Sequence, residues 1–176
     1  MPNGASKKVK ARAEEVAKLL RANGCITTRA VVAVGYSRAQ AESALKYLAS
    51  VGLAHRVKVG RIVMWCFSKK SAVRHMGRLI RALHRLICAA GVKYVSPVDV
   101  LEMAARDKEA RRLFTRYVNL SPKDTAALHL LNGLLAAMYG KPAFRKRGGA
   151  MPLYFANCGK KSAFFFGDEK HDYSCG

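Results

Sequence analysis

Apolar residues return along the chain at two different spacings, and the change between them marks its elements. Val9, Ala13, Val16, Ala17 and Leu20 recur at helical spacing, while Lys10, Arg12, Glu14, Lys18 and Arg21 fall mostly elsewhere. This predicts a helix over residues 6–22, ended by Asn23-Gly24. A short helix over 28–34 follows, with Thr27 or Thr28 as N-cap and Gly35 as stop. Ser37 with Gln40 three residues on makes a capping-box pattern. Ala41, Ala44, Leu45 and Leu48 then form one apolar face before Gly52. After Leu53 the period shortens. Residues 54–67 predict two β-rich runs hinged near Gly60, a hairpin with a basic tip and a basic outgoing strand.

The second half follows a similar order. Val73, Met76, Ile80, Leu83 and Ile87 predict a long helix over 71–90, stopped at Gly91. Ser96-Pro97-Val98-Asp99 starts a helix that runs to about Arg106, and residues 107–118 predict an inserted one. Ser121-Pro122-Lys123-Asp124 repeats the start signal for a helix with Leu128, Leu131, Leu135 and Met138 on one face, ended at Gly140. A second hairpin is expected over 143–156. In the tail, 159–176, Ala163-Phe164-Phe165-Phe166-Gly167 predicts a short strand or plug, and residues 168–172 are expected to be solvated and mobile.

Charge changes what this framework implies. The 32 Lys and Arg against 11 Asp and Glu give a net charge of +21 in 176 residues. Such a chain repels itself unless an anion neutralises it. Residues 1–70 carry 14 basic and 3 acidic groups, 71–140 carry 11 and 5, and 141–176 carry 7 and 3. The excess therefore sits on segments that also have core patterns, not on a detachable tail. A membrane-surface binder would instead show one basic amphipathic helix, and no apolar run approaches the roughly 18 residues of a span. The partner expected is nucleic acid, not a membrane.

Three short helices followed by a hairpin resemble the winged-helix superfamily over residues 6–68. The likeness rests on Cys25-Ile26-Thr27-Thr28, Ser37-Arg38-Ala39-Gln40, the run from Leu45 to Leu53, and the hairpin. It implies a mainly α fold with small β-hairpins (α+β), a helix-turn-helix with a β-wing. Residues 71–158 fit either a second winged helix in tandem, with an inserted helix, or an unrelated helical domain. The resemblance implies that the third helix enters the major groove. Arg38, Gln40, Ser43, Lys46 and Tyr47 would then face bases and phosphates, and Arg56, Lys58 and Arg61 of the wing would straddle the backbone.

Two more clusters are candidates for phosphate. Arg74, Arg78, Arg81 and Arg85 step i, i+4, i+7, i+11, which aligns four guanidinium groups on one side of a helix. Lys141, Arg145, Lys146 and Arg147 flank Gly148-Gly149 and could clamp a backbone. The helix before them is a poorer reader, because Thr125, Ala126, His129, Asn132, Gly133 and Ala136 are small and mostly uncharged. That surface suits a homodimer, or docking on the first domain, as well as a groove. Each cluster also has a bland reading as a solvated basic surface.

Catalytic chemistry finds little support. Asp99 with Glu102, and Asp107 with Glu109, sit where helix starts favour acids. His55, His75, His84, His129 and His171 form no H-x-x-x-H pattern, and no phosphate-binding G-x-x-x-x-G-K or Gly-x-Ser-x-Gly motif occurs. Cys158, His171 and Cys175 could supply zinc ligands only on a weak spacing, so no metal and no cofactor are expected. Five cysteines (Cys25, Cys66, Cys88, Cys158, Cys175) without a C-x-x-C pair, behind a start that carries no secretory signal, predict reduced intracellular thiols. Gln40 is the only glutamine, a thermophile trait, and on that reading a Cys25–Cys66 link is conceivable.

These features predict a cytoplasmic, non-enzymatic protein that binds duplex DNA, as a transcriptional regulator or an architectural protein of the nucleoid. An RNA-binding component of a ribonucleoprotein such as the ribosome is the alternative, and a protein-interaction adaptor a third. Trp65 and most Phe residues fall in strand or core patterns, so few aromatics are expected to be exposed for stacking on unpaired bases.

Overall fold

Ser6 accepts a hydrogen bond from the Val9 N–H and starts α1 (Lys7–Asn23), which buries Ala13, Val16, Ala17 and Leu20. The structure is a computed structural model that describes residues 4–59, 61–118, 120–121, 123–144 and 152–159, with strand backbones over 162–166 and 169–173. The chain divides into two compact units, Met1–Lys58 with Val63–His75, and Val59–Ile62 with Met76–Gly176.

In the first unit α1 leads through Gly24 into β1 (Cys25–Thr27), then α2 (Thr28–Ala33), α3 (Arg38–Ser50) and the strands β2 (His55–Val59) and β3 (Ile62–Cys66). The Ser37–Gln40 capping box forms at the start of α3. β1 adds to the outer side of β3, giving the order β1-β3-β2, with Cys25 opposite Cys66, Ile26 opposite Trp65 and Thr27 opposite Met64. Leu20, Ile26, Val31, Ala41, Leu45, Leu48 and Trp65 close one core. Trp65 is buried with its indole N–H donated to Thr28 Oγ1 at 3.4 Å.

Gly24 is the tightest point of this unit. Its φ of +77° lies in the left-handed region, and a Cβ placed there would meet His75 Nε2 at 2.5 Å. Gly24→Ala is expected to lower stability by about 1–2 kcal/mol from backbone strain alone, with displacement of His75 added. Urea denaturation checks this, and an unchanged midpoint would show that neither constraint operates.

α4 (Lys69–Ala90) begins in the first unit and continues in the second. β4 (Tyr94–Val95), α5 (Pro97–Arg106), α6 (Lys108–Phe114), α7 (Thr125–Tyr139) and β5 (Tyr154–Phe155) follow. β5 pairs antiparallel with β4, Ala156 N–H reaches Lys93 O at 2.9 Å, and Phe144 bridges to Leu153. In the second unit, as in the first, short strands pair antiparallel between helices. A short strand stands directly before a capped helix, and the outgoing strand of the later hairpin returns to pair with it. The fold is mainly helical with small antiparallel β elements between the helices.

Several expectations need correction. α7 is capped by Asp124, not Ser121, which instead accepts the Asp124 N–H in a turn. Its buried face runs through Ala127, Leu130, Leu131, Leu134, Leu135 and Met138, leaving Leu128 half-buried. The inserted helix α6 ends at Phe114, and Tyr117 and Val118 are buried in the turns after it. Residues 169–173 carry regular backbone structure that the sequence pattern did not predict. They form β7 (Glu169–Tyr173), paired antiparallel with β6 (Ser162–Phe166), because backbone pairing tolerates the polar side chains there.

The cysteines depart furthest from expectation. Cys25 is bonded to Cys66, the link that the thermophile reading left conceivable, and Cys88 to Cys158, which it did not name, so four of the five are not free thiols. The reason for the first is β1, whose three residues set Cys25 directly across from Cys66. In the second, the last turn of α4 is tied to the segment after β5.

Candidate nucleic-acid interface

α4 carries the most ordered positive surface. Met76, Ile80, Leu83 and Ile87 are buried, and so are Ala72, Leu79, Ala82 and His84. Between Ala72 and Cys88 only Arg74, Arg78, Arg81 and Arg85 are exposed. A helix packed on most of its circumference therefore presents one open strip, and the strip is entirely arginine. Rigid packing below fixes the roots of these side chains, which limits the entropy lost when they bind. Arg81 lies back along the helix, 3.6 Å from a Cβ built on Gly77.

Arg85 differs from the other three. It pairs with Glu109 at 2.8 Å and lies 3.7 Å from Asp107, and the Glu109 hydrogen bond and charge raise its guanidinium above the ordinary value. Two carboxylates beside it oppose a phosphate. Among the described residues, Arg74, Arg78 and Arg81 have no carboxylate within salt-bridge distance. Arg78 and Arg116 both act on Tyr117, whose hydroxyl burial pushes up and the two cations pull down. Arg116 is exposed after α6, as are Arg111 and Arg112 on it. The run from Arg111 to Arg116 was the sequence signal for these three, obscured there by its reading as a simple insert.

On α3, Arg38, Ser43 and Lys46 are exposed. Arg38 is 85% exposed and touches Glu42 at 3.0 Å, a surface pair too weak to sequester it. Gln40 and Tyr47 are less available. The Gln40 side-chain oxygen accepts the Ser37 N–H at 3.0 Å, leaving only its NH2 to donate, and Tyr47 packs half-buried against the core. On the hairpin, Val57 and Val59 point inward while Arg56 and Lys58 point out, and Arg61 is exposed beyond them. The strand period of two sorts cations from core automatically.

In the second hairpin Lys141 is exposed, while Arg145, Lys146 and Arg147 lie outside the described residues. The small face of α7 is partly taken within its own unit, since Asn132 Oδ1 accepts the Tyr154 hydroxyl at 2.7 Å. Thr125 and Ala136 are exposed, and Ala126, His129 and Gly133 half-buried.

The expected scarcity of exposed aromatics does not hold. Tyr94, Phe144 and Phe155 are 37%, 53% and 46% exposed on the outer face of the second β element. The rings of Phe144 and Phe155 stand edge-on to Tyr94 at 5.2 and 5.9 Å, and Lys93 Nζ lies 5.5 Å from the Tyr94 ring. Strand alternation puts Val95 and Tyr154 inward and Tyr94 and Phe155 outward. The sequence could have shown this had β4 been read as a strand.

Of the acids considered for catalysis, Asp99 and Asp107 act as caps, and Glu109 pairs with Arg85. Asp99 Oδ2 accepts from the Ser96 N–H and hydroxyl at 2.9 and 2.8 Å, and Asp107 Oδ1 accepts from the Ala110 N–H at 2.8 Å. Of the described helices, none is long and apolar enough to cross a membrane.

Comparison with known proteins bears on the second half in particular. Residues 73–150 match a family model described as PSV, transcriptional regulator domain. The matched segment is less than half the chain, and it begins at the arginine strip of α4. A crystal structure of a hypothetical protein from Pyrobaculum spherical virus superposes with a TM-score of 0.77 at 26% identity, covering 86% of this chain and 97% of that one. No curated protein matches. The matched description is of a regulatory domain, not a catalytic one.

Proposed function

We propose that the protein is a transcriptional regulator built from two winged helices, residues 6–68 and 71–158, the second carrying α6 as an insert. It binds duplex DNA mainly through phosphates. Arg74, Arg78 and Arg81 on α4, Arg38 and Lys46 on α3, Arg56, Lys58 and Arg61 on the first hairpin, and Lys141 with Arg145, Lys146 and Arg147 at the second supply the contacts. Ser43 and the Gln40 amide add limited base reading. The observation that carries this reading is the α4 strip: Arg74, Arg78, Arg81 and the Glu109-paired Arg85 are the exposed residues between Ala72 and Cys88, in the segment matching a regulator domain. Repeated strand pairing in the two units supports the tandem arrangement.

Titration with duplex DNA, single strands and folded RNA at two salt concentrations tests it. With ten phosphates engaged, the log–log salt slope for duplex DNA is expected near −9. A flat response removes the electrostatic mechanism. Preference for folded RNA moves the protein to the alternative, a ribonucleoprotein component.

The three exposed rings favour that alternative specifically, because unpaired bases stack on aromatic faces. If RNA loops are bound there, Phe144→Ala with Phe155→Ala should lower loop affinity by roughly 1–3 kcal/mol per stacked base. Duplex affinity should stay unchanged. Equal loss on both ligands would mean that the rings serve the fold instead.

A further inference from the structure

We propose that reduction of the Cys88–Cys158 disulfide turns this corner of the second unit into a binding site for a thiophilic divalent cation such as zinc, held by His84, Cys88 and Cys158. The ligand atoms of these three residues all lie within 4.8 Å of one another. Tetrahedral zinc, with bonds of about 2.0–2.3 Å, sets its ligand atoms about 3.5–3.8 Å apart. His84 Nε2 already lies 3.5 Å from Cys88 Sγ, and once the disulfide is broken the two sulfurs move apart to that spacing. His84 and Cys88 stand one turn apart on α4 and so share a face, and Cys158 arrives from the segment after β5.

His84 is also held in place by a neighbour. His84 is 2% exposed, and its Nδ1 lies 3.0 Å from the Tyr139 hydroxyl, while its Nε2 lies 3.5 Å from Cys88 Sγ. A metal-bound imidazole commonly donates its other ring N–H to an oxygen, which fixes the ring for its ligand role. The other disulfide offers a contrast. Cys25 and Cys66 are both buried in a sheet, and among the described residues no third metal-ligating group joins them. Cys158 is exposed, so a reductant reaches this pair first. The spacing His84-x-x-x-Cys88 was legible in the sequence, but it gains a third ligand only when the chain returns through β5.

The chemistry balances with a dithiol as reductant. One of its thiolates attacks the exposed Cys158 sulfur, the Cys88–Cys158 bond breaks, and the second thiolate closes the reductant into a cyclic disulfide. Two electrons and two protons reach the protein as two thiols. Binding a divalent cation as dithiolate then releases two protons to solvent.

Cobalt(II) is the probe. The full chain, reduced with a water-soluble phosphine under anaerobic conditions, is expected to bind one equivalent. Binding should give a sulfur-to-cobalt charge-transfer band and the visible d–d bands of a tetrahedral site, with zinc displacing the cobalt. Untreated protein should give none. His84→Ala and Cys158→Ser should each weaken binding at least about 100-fold, and the double variant Cys25→Ala/Cys66→Ala should retain it. Cys158 is exposed, so its variant decides the matter even if His84→Ala fails to fold. The proposal is overturned if the reduced protein shows no such bands, if Cys158→Ser keeps them, or if the Cys25/Cys66 variant loses them. The nucleic-acid reading stands or falls separately.

Discussion

Replacing Arg74, Arg78 and Arg81 together by alanine is expected to weaken duplex DNA binding about 100-fold near physiological salt and to flatten the log–log salt slope by about 3 units. Each phosphate neutralised contributes about −0.9 to that slope, and at about 0.15 M this amounts to roughly 0.7 log units of affinity apiece. Three contacts give the stated loss. Arg85→Ala supplies the internal contrast, because Glu109 and Asp107 already stand beside that guanidinium. Its slope should match the unaltered protein. Folding is not at risk in the triple variant, since all three side chains are exposed and alanine is the better helix former. A triple variant with unchanged affinity and slope would show that the strip does not touch the nucleic acid. A loss independent of salt would show that it acts through protein contacts.

That strip was legible in the sequence for a simple reason. Helical period places i, i+4, i+7 and i+11 together whatever the tertiary structure, and a helix buried on its other sides needs its charges in one line. The capping boxes at Ser37 and Ser96 were legible likewise, because donor and acceptor lie three residues apart. Long-range pairing was not. β1 and β4 have three and two residues, too few to show a period, and each exists because a strand some forty to sixty residues later comes back to it. Much that depends on those strands stayed hidden with them, including the register that sets Cys25 across from Cys66, the outward rings of Tyr94 and Phe155, and the meeting of Cys158 with His84. Arg85 shows the complementary failure. Its position on the helix was right, and its neutralisation by Glu109 depends on how α6 folds back, which no local pattern encodes.

The largest stability effect is expected from reducing both disulfides in metal-free buffer. The bonds close loops of 41 and 70 residues. On the chain-entropy account each removes freedom from the unfolded chain worth about 4 kcal/mol. Their sum, about 8 kcal/mol, is comparable with the entire 5–15 kcal/mol of an ordinary domain. Loss should proceed in two steps, because Cys158 is exposed whereas Cys25 and Cys66 lie in the sheet of the first unit. Mild reductant should release one pair of thiols, trapped by alkylation as Cys88 and Cys158, and lower the melting temperature of the second unit by roughly 15 °C. The second pair should react only as the first unit unfolds, with its rate following denaturant concentration. Thiol counting by mass spectrometry alongside calorimetry separates the steps. If all four sulfurs react together in mild reductant, the sheet does not shield Cys25 and Cys66. If melting is unchanged after complete reduction, the core alone holds the fold and the bonds are incidental to its stability.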